Sequence, residues 1–154
     1  MSAGLFLSGS NLRYFPTVTA ALLDDDTDLL EILAELLQER NCGCLLAHSL
    51  EELKALGPEV LAADVAVLDI NLGAGQPSGI DAYDWLLSQN FAGRLLFLTG
   101  HAHAHPLVAR AERLNRATVL DKPLDGKVLL DRIMGVGVGV GEGAATMADN
   151  PVAP

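Results

Sequence analysis

Val65-Ala66-Val67-Leu68-Asp69 is the stretch on which the fold turns. Four apolar residues with no polar interruption read as a short strand buried on both faces, and a carboxylate ends it. The same grammar recurs three times. Thr19-Ala20-Ala21-Leu22-Leu23 runs into Asp24-Asp25-Asp26, Leu95-Leu96-Phe97-Leu98 into Thr99, and Ala117-Thr118-Val119-Leu120 through Asp121 into Lys122-Pro123. As parallel strands, these runs deliver three carboxylates, a hydroxyl and an amine to one edge of one sheet, where open α/β sheets bind ligands.

The segments between the runs carry helical spacing. From Thr27, Leu29, Leu30, Ile32, Leu33, Leu36 and Leu37 recur at three and four residues, predicting a helix to about Glu39 or Arg40. Asp24 to Asp28 supply cap candidates for its start, and Asn41 and Gly43 lie near its end. Before it stands a first strand at about 17–23. A second strand, Cys44 to Ala47, precedes a short helix opening at Ser49, with Glu52 placed for a capping box and Gly57-Pro58 closing it. A third strand at 64–68 leads through a Gly-rich loop, 71–79, to a helix at 78–89. A strand at 94–98, a helix at 106–115, a strand at 117–120 and a helix at 124–134 complete the pattern. Such alternation predicts a parallel sheet with right-handed crossovers, covered on both faces. Residues 1–16 read as an N-terminal extension, 17–134 as one domain, and 135–154 as a Gly/Val-rich flexible C-terminal tail with no output module.

Composition excludes several classes. Half of the 154 residues are hydrophobic and 19% are charged, the balance of a globular chain. The net charge of -10 repels nucleic acid and anionic membranes, so neither is an expected partner. Cys42 and Cys44 are too few for a disulfide framework and read as small buried residues on a strand. With no convincing signal peptide and no stretch long enough to span a bilayer, the expected location is the cytoplasm.

The chemistry of the run ends is specific in combination. Adjacent carboxylates repel by about 4 kcal/mol at 4 Å and an effective dielectric near 20, and a hard cation such as Mg²⁺ relieves that repulsion. The triplet reads equally as a set of helix caps. Asp69, held at a strand tip, can act as a carboxylate nucleophile or begin an ordinary turn. Thr99 can donate to a phosphoryl oxygen, and Lys122 can neutralise one. Pro123 suggests a rigid turn behind that amine, with a cis bond as one form. His101, His103 and His105 share a side if their segment is extended, which admits a metal reading.

Leu22-Leu23-Asp24-Asp25-Asp26, Leu68-Asp69-Ile70-Asn71, Leu98-Thr99-Gly100-His101 and Asp121-Lys122-Pro123-Leu124 together resemble a response-regulator receiver domain of two-component signal transduction, over about residues 17–134. The resemblance implies a flavodoxin-like, doubly wound five-stranded parallel sheet in order 2-1-3-4-5 with helices on both faces. It implies Mg²⁺ (or Mn²⁺) held by Asp24, Asp25, Asp69 and the backbone carbonyl of Asn71, with Asp26 a neighbour and not a ligand. Asp69 would accept a phosphoryl group from a sensor histidine kinase or histidine phosphotransfer protein, Thr99 would swing toward it, and Lys122 would bind it. The positions of Asn71 and His101 would influence dephosphorylation. As a stand-alone receiver the chain would signal to a downstream protein, or pass its phosphate on. It would not be an enzyme in the usual sense, and the face from the fourth helix to the last helix is a candidate homodimer surface.

Three features depart from that family. The loop after Asp69 is about two residues longer, with Gly73 where Pro is common. Val119 replaces the aromatic switch residue, so a coupled Tyr–Thr rotation is not available. Gly100 follows Thr99 and leaves the next segment permissive. These departures keep open a phosphorylation-independent interaction module on the same fold. A metal-dependent phosphohydrolase is a further alternative, disfavoured by Asn71 where such enzymes carry a second Asp and by the lack of a cap domain.

Overall fold

The structure, a computed structural model, describes residues 4–8, 11–15, 18–100, 105–122 and 125–135. Two strands come first, β1 (Gly4–Ser8) and β2 (Asn11–Phe15), paired antiparallel with Leu5 opposite Tyr14 and Leu7 opposite Leu12. The sequence reading gave this segment no secondary structure, although Gly9-Ser10 between the two runs is a composition that two-residue hairpin loops use.

The main sheet is parallel. It comprises β3 (Thr19–Leu23), β4 (Gly43–Ala47), β5 (Val65–Asp69), β6 (Arg94–Thr99) and β7 (Ala117–Asp121), in spatial order β4-β3-β5-β6-β7. Counting only these five, the order is 2-1-3-4-5, as expected. The central strands β3, β5 and β6 are buried along nearly their whole length, while the edge strands β4 and β7 are half-open. That difference follows from position, since an edge strand has a neighbour on one side only.

Alternate residues of the sheet enter two different apolar layers. Ala21, Leu23, Ala66, Leu68, Leu95 and Phe97 belong to one core cluster, with residues of α2 (Leu50–Ala55), α3 (Pro58–Leu61), α4 (Gly79–Ser88) and α5 (Pro106–Glu112). Tyr83 of α4 lies with its ring centroid 5.8 Å from that of Phe97, and Trp85 packs at the margin of this cluster. Ala20, Leu22, Val65, Val67 and Leu98 are buried on the opposite face. There α1 (Thr27–Glu39) turns in Leu30, Leu33 and Leu37, and its Ala34 carbonyl lies 4.0 Å from the Cys44 thiol of β4. Ile32 shares the apolar spacing of α1 but faces outward, 54% exposed.

Local signals set the element ends. Asp26 caps α1 by accepting from Leu29 N–H at 3.1 Å, and Asn41 takes a left-handed φ of 60° just beyond it. The expected Ser49–Glu52 capping box is only half present. Ser49 Oγ accepts from Glu52 N–H, but the Glu52 carboxylate binds the backbone N–H and ring Nδ1 of His48, at 2.8 and 2.9 Å. A full box stands at α4 instead, where Ser78 and Asp81 satisfy each other's backbone N–H groups. Gly57-Pro58 ends α2 and also opens α3, with Pro58 in its first turn. Cys42 is buried and Cys44 half-buried, both free; burial first, and for Cys42 also the neighbouring Cys44 and Asp64, push both thiols up to about 11, so they stay neutral and unreactive near pH 7.

A second unit begins at residue 124, and its described part is α6 (Gly126–Met134), capped by Asp125 through Lys127 N–H at 2.8 Å. Among the described residues, no helix is long and apolar enough to cross a membrane.

Candidate functional site

The C-terminal edge of the parallel sheet gathers the polar run ends. Asp24 follows β3 directly, and its backbone N–H donates to the Ala47 carbonyl of β4 at 3.1 Å. Asp24 Oδ1 in turn accepts from Asp26 N–H at 2.9 Å, so the turn into α1 fixes the carboxylate's rotation. Asp69 is the last residue of β5 and pairs with Leu98 on β6, one step beyond the final β3–β5 pair, Leu23 with Leu68. Thr99 ends β6 opposite Asp121 and is 1% exposed. Lys122 follows β7, and its backbone N–H donates to the Thr99 carbonyl at 2.7 Å.

Three carboxylates converge there. One oxygen from each of Asp24, Asp25 and Asp69 lies within 4.8 Å of the others. Asp24 and Asp69 are 3% and 6% exposed, while Asp25 is open to solvent. The Lys122 ammonium reaches in among them, 2.8 Å from Asp24 Oδ2 and 3.4 Å from Asp69 Oδ1. Asp26, beside them in sequence, uses a side-chain oxygen to cap α1.

The charges act strongly on one another. Burial foremost, then the neighbouring Asp24 charge, pushes the Asp69 carboxyl up to about 7; Lys122 opposes this, and Asp25 adds to it. For Lys122, burial acts to lower the pKa. The hydrogen bond to Asp24 and the charges of Asp69 and Asp24 outweigh it and hold the amine above its ordinary value. The pocket therefore retains its internal cation while its central carboxylate is poised near neutrality.

An all-oxygen donor set of this spread suits a hard divalent cation. Octahedral Mg²⁺, bonded at about 2.0–2.1 Å, holds adjacent ligand oxygens about 2.9 Å apart and opposite ones about 4.1 Å apart. The three carboxylate oxygens, all within 4.8 Å of one another, lie close to that range. Asn71, expected to contribute its backbone carbonyl, uses its side-chain oxygen within the following loop, accepting from Gly73 N–H at 2.9 Å. Of the three histidines, His105 caps α5 by accepting from Leu107 N–H at 3.2 Å. His101, His103 and Pro123 lie outside the described residues. Val119 is half-buried on β7 opposite Phe97.

Comparison with known proteins agrees with this architecture. The sequence model of the "Response regulator receiver domain" family matches residues 20–134. Seventy-six per cent of the chain covers 94% of a response regulator receiver protein from Pseudoalteromonas atlantica, at 20% identity and a TM-score of 0.66. A Vibrio cholerae chemotaxis protein, CheY4, is similar over 77% of this chain and 98% of its own, at 18% identity and a TM-score of 0.65. The BeF3-activated DrrB receiver domain is similar over 75% of this chain and 93% of its own, at 22% identity and a TM-score of 0.61. At these identities the likeness speaks to the fold alone. No curated protein sequence matches the chain. A sheet ordered this way, an acidic cluster at its C-terminal edge and a family match across most of the chain lead to one conclusion: the protein belongs to the response regulator receiver domain family. Receiver domains are signalling domains of two-component systems, and they bind Mg²⁺ at an acidic pocket.

Proposed function

We propose that Asp69 accepts a phosphoryl group from a histidine kinase or histidine phosphotransfer protein, in a reaction that requires Mg²⁺ or Mn²⁺ held by Asp24, Asp25, Asp69 and the Asn71 backbone carbonyl. The observation that carries this reading is Lys122: its ammonium contacts both Asp24 and Asp69 beside a third carboxylate. A half-buried ammonium beside a strand-tip carboxylate suits the neutralisation of an incoming phosphoryl oxygen.

In the forward step an Asp69 oxygen attacks phosphorus, the phosphorus–nitrogen bond of the donor phosphohistidine breaks, and the departing imidazole keeps the electron pair. The divalent ion supplies charge neutralisation for the phosphoryl oxygens. Lys122 exchanges its contact with Asp69 for one with the phosphoryl group, and Thr99 donates its hydroxyl to another oxygen. Added charge and acceptor oxygens at Asp69 then alter the partner preference of the neighbouring surface. Its downstream partner is another protein, reached from the cytoplasm, and phosphorylation-dependent pairing of two copies is part of the proposal.

Incubation with acetyl phosphate and Mg²⁺, followed by intact-mass measurement, tests the reading. One added phosphate on the wild type and none on Asp69→Ala is the expected result. An unmodified wild type would instead favour a phosphorylation-independent interaction module.

A further inference from the structure

Gly79 opens α4, and its backbone N–H donates to the Ile70 carbonyl at 2.8 Å. A Cβ placed on it would fall onto the Asp69 carbonyl oxygen, 2.9 Å from the Asp69 carbonyl carbon and 3.1 Å from Ile70 Cα. Carbon atoms ordinarily rest about 3.5–4.0 Å apart, so a methyl group here requires a shift on the order of 1 Å. Gly79 is not among the glycines with a left-handed φ, so its conformation admits any residue. Intrinsic helix propensity gives Gly no advantage over Ala there either. What the position needs is empty space against the backbone of Asp69.

The two sides of that contact do not yield equally. α4 is anchored by buried Ile80, Ala82, Tyr83 and Leu86, and β5 by Val65 to Leu68, each flanked by strands. Asp69 is the weaker point, being paired only toward β6. We infer that Gly79 is a positioning residue for Asp69: by lacking a side chain it lets α4 close on the strand tip and sets where the carboxylate stands. This inference rests on the role proposed for Asp69 above.

Gly93 supplies a matched control. A Cβ there would meet the Phe91 ring at 2.5 Å and the Ala63 and Asp64 carbonyl oxygens at 2.8 Å. It lies at the opposite end of the same sheet, just before β6. Gly79→Ala and Gly93→Ala should both lower the melting temperature. Calorimetric Mg²⁺ titration and acetyl phosphate labelling are then run at a temperature where circular dichroism shows each variant folded. Gly79→Ala should weaken Mg²⁺ binding by about 10–100-fold, the range seen when support behind a metal ligand is lost, and slow phosphoryl acceptance about a hundredfold. Gly93→Ala should match the wild type in both.

The inference is overturned if Gly79→Ala behaves like the wild type, or if Gly93→Ala loses both properties equally. Should Gly79→Ala fail to fold, Ser78→Ala decides: loosening the α4 start should weaken Mg²⁺ in the same direction, and unchanged affinity would refute the idea. A wild type that takes no phosphate would count against the function proposed above, while Mg²⁺ titration of the variants would still decide the role of Gly79.

Discussion

The backbone N–H of Lys122 donates to the carbonyl of Thr99 at 2.7 Å. The residue that carries the pocket's internal cation is thus tied to the residue that ends the neighbouring strand, and a displacement of either pulls on the other. Thr99 is buried at the sheet edge, so such a displacement is felt by packed backbone. This tie offers a route from the carboxylates to β6 and β7 that needs no aromatic ring at Val119.

Replacing Lys122 by Met removes the cation from Asp24 and Asp69 and leaves two buried carboxylates facing each other. Metal-free protein should lose about 2 kcal/mol at pH 7, the scale of a lost charged hydrogen bond. Saturating Mg²⁺ should restore part of it. Urea unfolding with EDTA and with Mg²⁺ makes the comparison.

Asp69→Asn removes the carboxyl that burial and Asp24 hold at about 7. Because the ionised form is the disfavoured one in the fold, the amide should stabilise metal-free protein at pH 8, by on the order of 1–2 kcal/mol. The same variant should take no phosphate. Chemical denaturation and intact mass report the two effects separately.

The pH dependence has a defined sign. With Asp69 raised in the folded state, the native protein binds more protons than the unfolded chain between about pH 4 and about pH 7. Metal-free stability should therefore decline as pH rises through that window. Mg²⁺ affinity should climb over the same interval and level off above it. Lys122 has linkage of the same sign in a more alkaline window: its contribution is complete below the ordinary amine pKa and is lost as pH rises through its raised value. Urea midpoints at pH 5 and pH 8 in EDTA, with the Asp69→Asn profile flattened, check the assignment.

Asp26→Ala should cost about 1 kcal/mol, since it removes the side-chain cap of α1. Mg²⁺ affinity should be unchanged, because the bond that orients Asp24 comes from the backbone N–H of residue 26. Thermal melting and Mg²⁺ titration together separate Asp26 from its two acidic neighbours.

The parallel sheet was readable from sequence because its buried strands leave uninterrupted apolar runs, and the pocket because each run stops at a polar residue. Strand ends share an edge in such a sheet, so Asp24, Asp69, Thr99 and Lys122 followed from position alone. Side-chain partners were less legible. Glu52 stands at the right spacing for Ser49, yet His48 one residue earlier offers both a backbone and a ring nitrogen and takes its carboxylate. Ser78 and Asp81 carry the same three-residue signature and do form the full box. The contact of Gly79 with Asp69 joins residues ten apart across a loop, and nothing in a one-dimensional pattern marks a missing methyl group as necessary. The β1–β2 pair was missed because its two runs are only five residues each and stand apart from the βα alternation that marks the rest.

The chain contains one tryptophan, Trp85, and it sits on the same helix that Gly79 begins. A shift of that helix as a body should change the surroundings of a single indole at the core margin. Ultraviolet emission from unlabelled protein is therefore the signal to follow while Mg²⁺ is added, free of interference from a second fluorophore of its kind.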